Sequence, residues 1–492
     1  MRIKCAAILL WNLFYMSTLN AQNNAQLIKF VSPNRDTGDE FGWSCSIYGD
    51  YAIVGAPNTS RITNEGLLEE AGSAYFFKKG SSGWKFIQMV QPTGKIHSKD
   101  WFGCSVSIYG NCAAVGANGD DEDSVDATGK IRQGAVYIFF LNKEGIWNQT
   151  QKLVLENRNG LDNFGIAVSI ASNHLIISAP WRSIQKGYLS SSPGEVFVYA
   201  KLKSDTWALT NQILPPDSLI SGFGTSLCIN KNLVLVGSQK ANGVYVFEYN
   251  HDFEMQRTQL LSQSNTVDSN FGCSVGASEK YIVVGASGEY GPFEGADIPE
   301  TDSVYTYFSI ASDGKFKRTL VINDKKIRDS LGISNSLFRS KAVPVESRES
   351  RKLRMAGAGS VYVYKRVKGG KQWILQQRIV AKDSCYDAHF GMSVSISNQL
   401  ILVGAFGDRD LDSSIHNNFY EGAVYVFKLN KSGLWKEIQK LTSATRLAWT
   451  KFGFSISAYK DYAVIGSRLE KSDENGERPM LNAGAIYIYS NK

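Results

Sequence analysis

Phe102-Gly103-Cys104-Ser105-Val106-Ser107-Ile108, then Tyr109-Gly110-Asn111, is the stretch whose reading decides the fold. Apolar and small polar side chains alternate over the first seven residues, so every second one faces the same side of a sheet. The glycine-containing triplet that follows is a tight turn. Further on, Gly134-Ala135-Val136-Tyr137-Ile138-Phe139 is β-branched and aromatic, a strand by composition, and Trp147 with Gln151 marks a fourth stretch of mixed polarity. No part of this segment has the 3.6-residue period of a helix.

The same order of features returns along the chain. Phe-Gly pairs begin at Phe41, Phe102, Phe164, Phe223, Phe271, Phe390 and Phe452, and Leu331-Gly332 fills the one wide gap, giving a period near 60 residues. Aliphatic runs closed by glycine and a small residue follow the first strand, as in Ile53-Val54-Gly55-Ala56-Pro57, Val283-Val284-Gly285-Ala286 and Leu402-Val403-Gly404-Ala405. Strands apolar on both faces are buried between sheets. Four short strands per repeat make one propeller blade, and the predicted fold is an all-β propeller of eight four-stranded blades. The count drops to seven if the unit near residue 331 does not fold as a blade, because 332–357 lacks the aliphatic-Gly-Ala run. The last unit stops after its third strand at Tyr489, while Gln26-Leu27-Ile28-Lys29-Phe30-Val31 matches Gln151-Lys152-Leu153-Val154-Leu155-Glu156. Residues 22–40 are therefore expected to complete the last blade and close the ring, making 22–492 one domain.

Met1-Arg2-Ile3-Lys4, the apolar run Cys5 to Tyr15 and a polar stretch ending at Ala21 have the layout of a secretory leader, with cleavage near Ala21. No later run is long and apolar enough to span a bilayer. The expected product is a secreted or cell-surface monomer without a transmembrane segment. A formal charge of +7 over 492 residues, with no basic stripe interleaved with aromatics, points to no nucleic-acid partner. The six cysteines beyond the leader lack close metal or redox spacing and are read as buried thiols rather than a disulfide framework.

At these residues the chain resembles the FG-GAP repeat proteins, whose best known members are the propeller heads of integrin alpha chains. Phe41-Gly42 with Val54-Gly55-Ala56-Pro57, and Phe164-Gly165 with Ser178-Ala179-Pro180, carry the likeness, which extends over the whole chain after the leader. The resemblance implies extracellular recognition of a partner on one rim of the propeller, in adhesion or surface binding. The Asp-rich calcium loop that integrin-type repeats carry between first and second strands has no counterpart in short turns such as Ile47-Tyr48-Gly49-Asp50-Tyr51.

Candidate site residues fall in the links between second and third strands, because the repeated strands are scaffold and the links vary. The aromatics Trp181, Tyr188, Tyr290, Phe293, Phe419 and Tyr420 are candidates for stacking on a sugar ring or anchoring a protein partner. Asp408, Asp410 and Asp412, with Asp120 and Glu122 in the equivalent loop of the second unit, are candidate ligands for Ca2+, a cation that gathers six to eight oxygens. A serine three residues after the start of the repeat's Phe-Gly or Leu-Gly pair, at Ser44, Ser105, Ser226, Ser274, Ser334, Ser393 and Ser455 with Ala167 the exception, is read as a backbone tie. Five histidines at unrelated repeat positions form no nucleophile relay. A noncatalytic binding protein recognising an extracellular protein or glycan is the leading expectation. The alternative is an extracellular propeller enzyme acting on polysaccharide through paired carboxylates, with Asp162, Asp217, Asp268 and Asp387 to watch, though their place before Phe-Gly pairs fits turn capping.

Overall fold

The computed structural model describes residues 25–64, 66–121, 132–182, 193–216, 222–249, 255–262, 269–289, 357–397, 399–409 and 420–491, together with the backbone of 305–310 and 316–322. The predicted leader lies outside them. Seven four-stranded antiparallel sheets form the blades. From inner to outer strand, blade 1 is Ser44–Tyr48, Tyr51–Ala56, Ser73–Gly80 and Gly83–Val90. Blade 2 is Phe102–Tyr109, Cys112–Ala117, Ala135–Leu141 and Trp147–Leu153. Blade 3 is Val168–Ala171, His174–Ala179, Glu195–Lys201 and Trp207–Ile213, and blade 4 is Phe223–Asn230, Leu233–Ser238, Gly243–Tyr249 and Met255–Ser262. Blade 5 is Phe271–Ala277, Tyr281–Ala286, Ser360–Arg366 and Trp373–Ile379, and blade 6 is Ser393–Ser397, Leu400–Ala405, Ala423–Leu429 and Trp435–Leu441. Blade 7 takes Phe452–Tyr459, Tyr462–Ser467 and Ala485–Asn491, and Ala25–Phe30 pairs antiparallel on its outer edge from Ala25↔Asn491 to Phe30↔Ile486.

Seven blades, not eight, is the main correction to the sequence reading. Among the described residues the unit counted from Leu331 forms no sheet of its own, in keeping with its lack of an aliphatic second-strand sequence. Its third strand, Ser360–Arg366, pairs instead with Tyr281–Ala286, which begins in the previous unit. A separate two-stranded hairpin, Tyr305–Ile310 with Phe316–Ile322, sits within the intervening segment.

One aromatic pair identifies every blade. The Phe of each Phe-Gly is fully buried and meets a third-strand ring edge-to-face: Phe41–Tyr75, Phe102–Tyr137, Phe164–Phe197, Phe223–Tyr245, Phe271–Tyr362, Phe390–Tyr425 and Phe452–Tyr487, at 4.9 to 5.6 Å. That geometry suits the ring quadrupoles. Phe271 finds Tyr362, some ninety residues on, which is how the split blade 5 keeps the common core.

Neighbouring blades are stitched twice at the inner strands. In six of the seven blades the serine hydroxyl three residues after the Phe donates to the Phe-Gly glycine carbonyl of the next blade: Ser44 to Gly103, Ser105 to Gly165, Ser226 to Gly272, Ser274 to Gly391, Ser393 to Gly453 and Ser455 back to Gly42, all at 2.6 to 2.9 Å, while blade 3 has Ala167 there. A second serine accepts the next blade's amide, as Ser46 does from Ile108 and Ser457 from Ile47. The glycine closing the second strand of every blade but the third, which has Ser178, is there for approach: a Cβ on Gly55 would overlap the Gly103 carbonyl, and one on Gly466 the Gly42 carbonyl. At the periphery Gln88 donates to the Trp147 carbonyl and accepts from its amide, and the pairs Gln151–Trp207, Gln259–Trp373 and Gln377–Trp435 repeat this. The Trp…Gln spacing is thus an inter-blade clamp.

All six described cysteines are free thiols. Burial pushes Cys45 and Cys112 up to about 12, which keeps them protonated and unreactive.

Candidate functional site

Each link between second and third strands is hydrogen-bonded to the link entering the next blade. Trp101 N donates to Glu70 O, Asn163 N to Arg132 O, Lys451 N to Tyr420 O, and Glu40 N to Asn482 O. The two sets of variable loops therefore share one rim. The residue before Phe-Gly adopts left-handed backbone at Glu40, Trp101, Asn163, Asn270, His389 and Lys451, and so does the residue two further back at Lys99, Leu161, Asp387 and Trp449.

Beneath the rim lies a recurring set of buried charges. Asp120 accepts from Tyr137 Oη at 2.6 Å and pairs with Lys152 at 3.1 Å. Asp408, 1% exposed, accepts from Tyr425 Oη at 2.6 Å and pairs with Lys440 at 2.9 Å. Glu470 does the same with Tyr487 and Lys29, and Glu289 with Tyr362 and Arg378. The registers explain the repetition, since Tyr137 lies opposite Lys152, Tyr425 opposite Lys440, Tyr487 opposite Lys29 and Tyr362 opposite Arg378. Blade 3 inverts the scheme: Arg182 occupies the acid's place and takes both Asp162 and Glu195. Burial and the adjoining carboxylate push the Tyr425 phenol well up, and burial raises Asp408.

Asp408 and Asp120, read from sequence as calcium ligands, are thus tied to a lysine and a tyrosine inside their blades. Asp410, Asp412 and Glu122 lie outside the described residues, and among the described residues no group of three or more His, Cys, Asp or Glu side chains is placed to hold a metal. Asp162 accepts the Asn159 amide at 2.9 Å, as Asp39 and Asp100 accept from Asp36 and His97, so these acids do cap turns. Asp217 and Asp268 lie outside the described residues.

Of the aromatic candidates, Trp181 is 37% exposed on blade 3, and Tyr188, Tyr290, Phe293 and Phe419 lie outside the described residues. Tyr420 belongs to the most developed feature of the rim, a column of four near-parallel rings across blades 6 and 7. Trp449 stacks on Tyr420 at 4.9 Å, Tyr420 on Phe406 at 6.0 Å, and Phe406 on His389 at 4.8 Å. Phe454 and Trp43 extend it toward blade 1 at 5.9 and 5.6 Å, with Arg468 over both at 4.3 Å and Lys451 over Phe406 at 5.3 Å. Asp387 accepts from Tyr420 Oη and contacts His389 Nε2 at 2.9 Å. The Asp387 hydrogen bond pushes the Tyr420 phenol up to about 12. Beside this column is a pocket of about 320 Å3 lined by Tyr386, Asp387, Gly407, Arg409, Tyr420 and Trp449. Sequence reading found Tyr420 and missed Trp449, His389 and Phe406; the signal was their fixed offset from each Phe-Gly and second-strand end, where only this pair of blades has three aromatic or imidazole rings together.

On the opposite face a central cavity of about 1220 Å3 is lined by the inner strands of all seven blades. Tyr48 packs between Tyr109 and Tyr459 at 4.3 and 4.7 Å. The carboxylates of its lining are Glu279, ion-paired with Lys231, and Asp461, on different blades, beside Lys280, Lys428 and Lys460.

No curated protein matches the chain in sequence. The FG-GAP repeat family model matches residues 25–77, 96–139, 147–199, 373–427 and 435–489, together more than half of the chain. Four of these segments start at or next to an outer strand and end in the third strand of the following blade, so the sequence repeat is staggered one strand from the blade. Stagger, Phe-Gly stitching and blade architecture agree with the matches, and the chain belongs to the FG-GAP repeat family.

Proposed function

We propose that this protein is exported and acts without catalysis, binding an extracellular protein or glycan through the rim that carries the second-to-third-strand links. The observation that supports this reading is the aromatic and cationic column of blades 6, 7 and 1, half-buried except for the exposed Trp449, on a rigid scaffold at the end where the variable loops gather. Its export rests on the N-terminal leader pattern, and no helix among the described residues is long and apolar enough to cross a membrane.

The polysaccharide-cleaving alternative needs two carboxylates facing one bond, one of them free to give a proton. Of the two carboxylates that line the cavity, Glu279 is held by Lys231, which supports recognition over cleavage. A role for calcium on the rim requires Asp408 to leave Lys440 and Tyr425, or ligands from other loop residues. Screening the purified protein on glycan and extracellular-protein arrays, with calcium and again with chelator, tests the proposal. A hit lost on rim substitution supports it, and silence on both arrays sinks it.

A further inference from the structure

Resting on that reading, we infer that the pocket between blades 6 and 7 is a subsite for a pyranose ring of a glycan, with the exposed face of Trp449 as its platform. The pocket's volume of about 320 Å3 stands at the small end of small-molecule sites and matches one or two sugar rings. A protein partner alone requires on the order of 800 Å2 from each side.

Exposure of Trp449 is the first argument. Its left-handed backbone, φ 67°, belongs to the repeat, since Gly38, Lys99, Leu161 and Asp387 stand at the same place before Phe-Gly with φ of 86°, 69°, 69° and 61°. The backbone there takes glycine, charged and aliphatic residues alike, so it does not dictate an indole. Trp449 is an indole, 48% exposed, and lines the pocket.

Rigidity is the second. One side of the indole is stacked on Tyr420, which is backed by Phe406 and His389 and tied by its hydroxyl to Asp387. The ring is held before any ligand arrives, so little side-chain entropy is lost on binding.

The pocket wall is the third. Beside the indole stand the Asp387 carboxylate, the Arg409 guanidinium and the Tyr386 phenol, the last 54% exposed. A pyranose offers a patch of C–H bonds to the electron-rich face of a ring and hydroxyls at its edge that donate to a carboxylate and accept from a guanidinium. Most of the surface that lines the pocket is apolar, which suits stacking of a ring face.

The test is titration calorimetry of the purified protein with a panel of neutral hexoses, N-acetylhexosamines, uronic acids and their oligomers, alongside the two arrays. Binding to at least one sugar class is expected, with a change in tryptophan fluorescence. Trp449→Gly should weaken it by about tenfold or more without lowering the melting temperature, since glycine accepts the left-handed backbone. Arg409→Gln is expected to weaken it as well. Sugar binding that survives Trp449→Gly overturns the inference, and so does a protein that takes extracellular proteins on the array but no glycan, which leaves the rim reading standing. Silence on both arrays overturns the reading itself.

Discussion

Gly55 shows how much a single position carries. The next blade's Gly103 carbonyl occupies the space a side chain would need, so Gly55→Ala forces two blades apart and should cost about 3 kcal/mol. Gly49, equally a glycine but with nothing within 4 Å of its would-be Cβ, should tolerate alanine far better, and urea midpoints of the two variants check the contrast. Asp408 makes a second case. Asp408→Ala strands Lys440 with Asp383 alone and leaves Tyr425 without its nearer acceptor, an expected loss of about 3 kcal/mol in chemical unfolding, in calcium or chelator alike. Asp100 adds a pH dependence. Burial raises it to about 7, above its value in the unfolded chain, so the folded state holds the proton more tightly between roughly pH 4 and pH 7. Its contribution to stability is greatest at acid pH and declines as pH rises through that window. Asp100→Asn should flatten the urea midpoint across it, since the amide oxygen can still accept the His97 amide.

At the scale of strands, pattern and position parted company in one place. The strands of blades 1, 2 and 6 were legible because alternation, the Gly-Ala ending and the Trp…Gln spacing all mark local pairing, and those of blades 3 and 4 because alternation and the Phe-Gly start do. Blade 5 was not, because its second and third strands are separated by 290–356 and the pairing Tyr281↔Lys365 is chosen by fit, not by nearness. Two observations hold that choice: Phe271 against Tyr362, and Gln259 clamped to the Trp373 backbone. Gly359 N already donates to Glu289 O at 2.8 Å, so the ends of the long link lie side by side. Replacing 290–356 by a short Gly/Ser linker should therefore leave a cooperatively folding protein with a melting temperature close to the parent's. A variant that cannot fold would mean that an eighth unit is structural after all. The rim column was only partly legible, since stacking of Trp449, Tyr420, Phe406 and His389 joins residues from different loops, and no single loop announces it.

Across the whole molecule the joint between blade 7 and blade 1 bears the most weight. Ala25–Phe30 supplies the outer strand of blade 7, Lys29 enters the Glu470–Tyr487 set, and Ser455 and Ser457 bind Gly42 and Ile47 across the same joint. Removing residues 1–31 should bare the edge of Ala485–Asn491, lower the thermal midpoint and promote self-association, read by light scattering against concentration. Much of this was determined by sequence alone: an all-β repeat fold, its period, the four strands of a typical blade and the serine ties, because each follows from local alternation or from recurrence at a fixed offset. Tertiary structure decided the rest. Seven blades rather than eight, the inward turn of Asp120 and Asp408 onto lysine and tyrosine, and the ring column on the rim all depend on which distant segments meet, and that is set by packing around a closed ring rather than by any residue's neighbours in the chain.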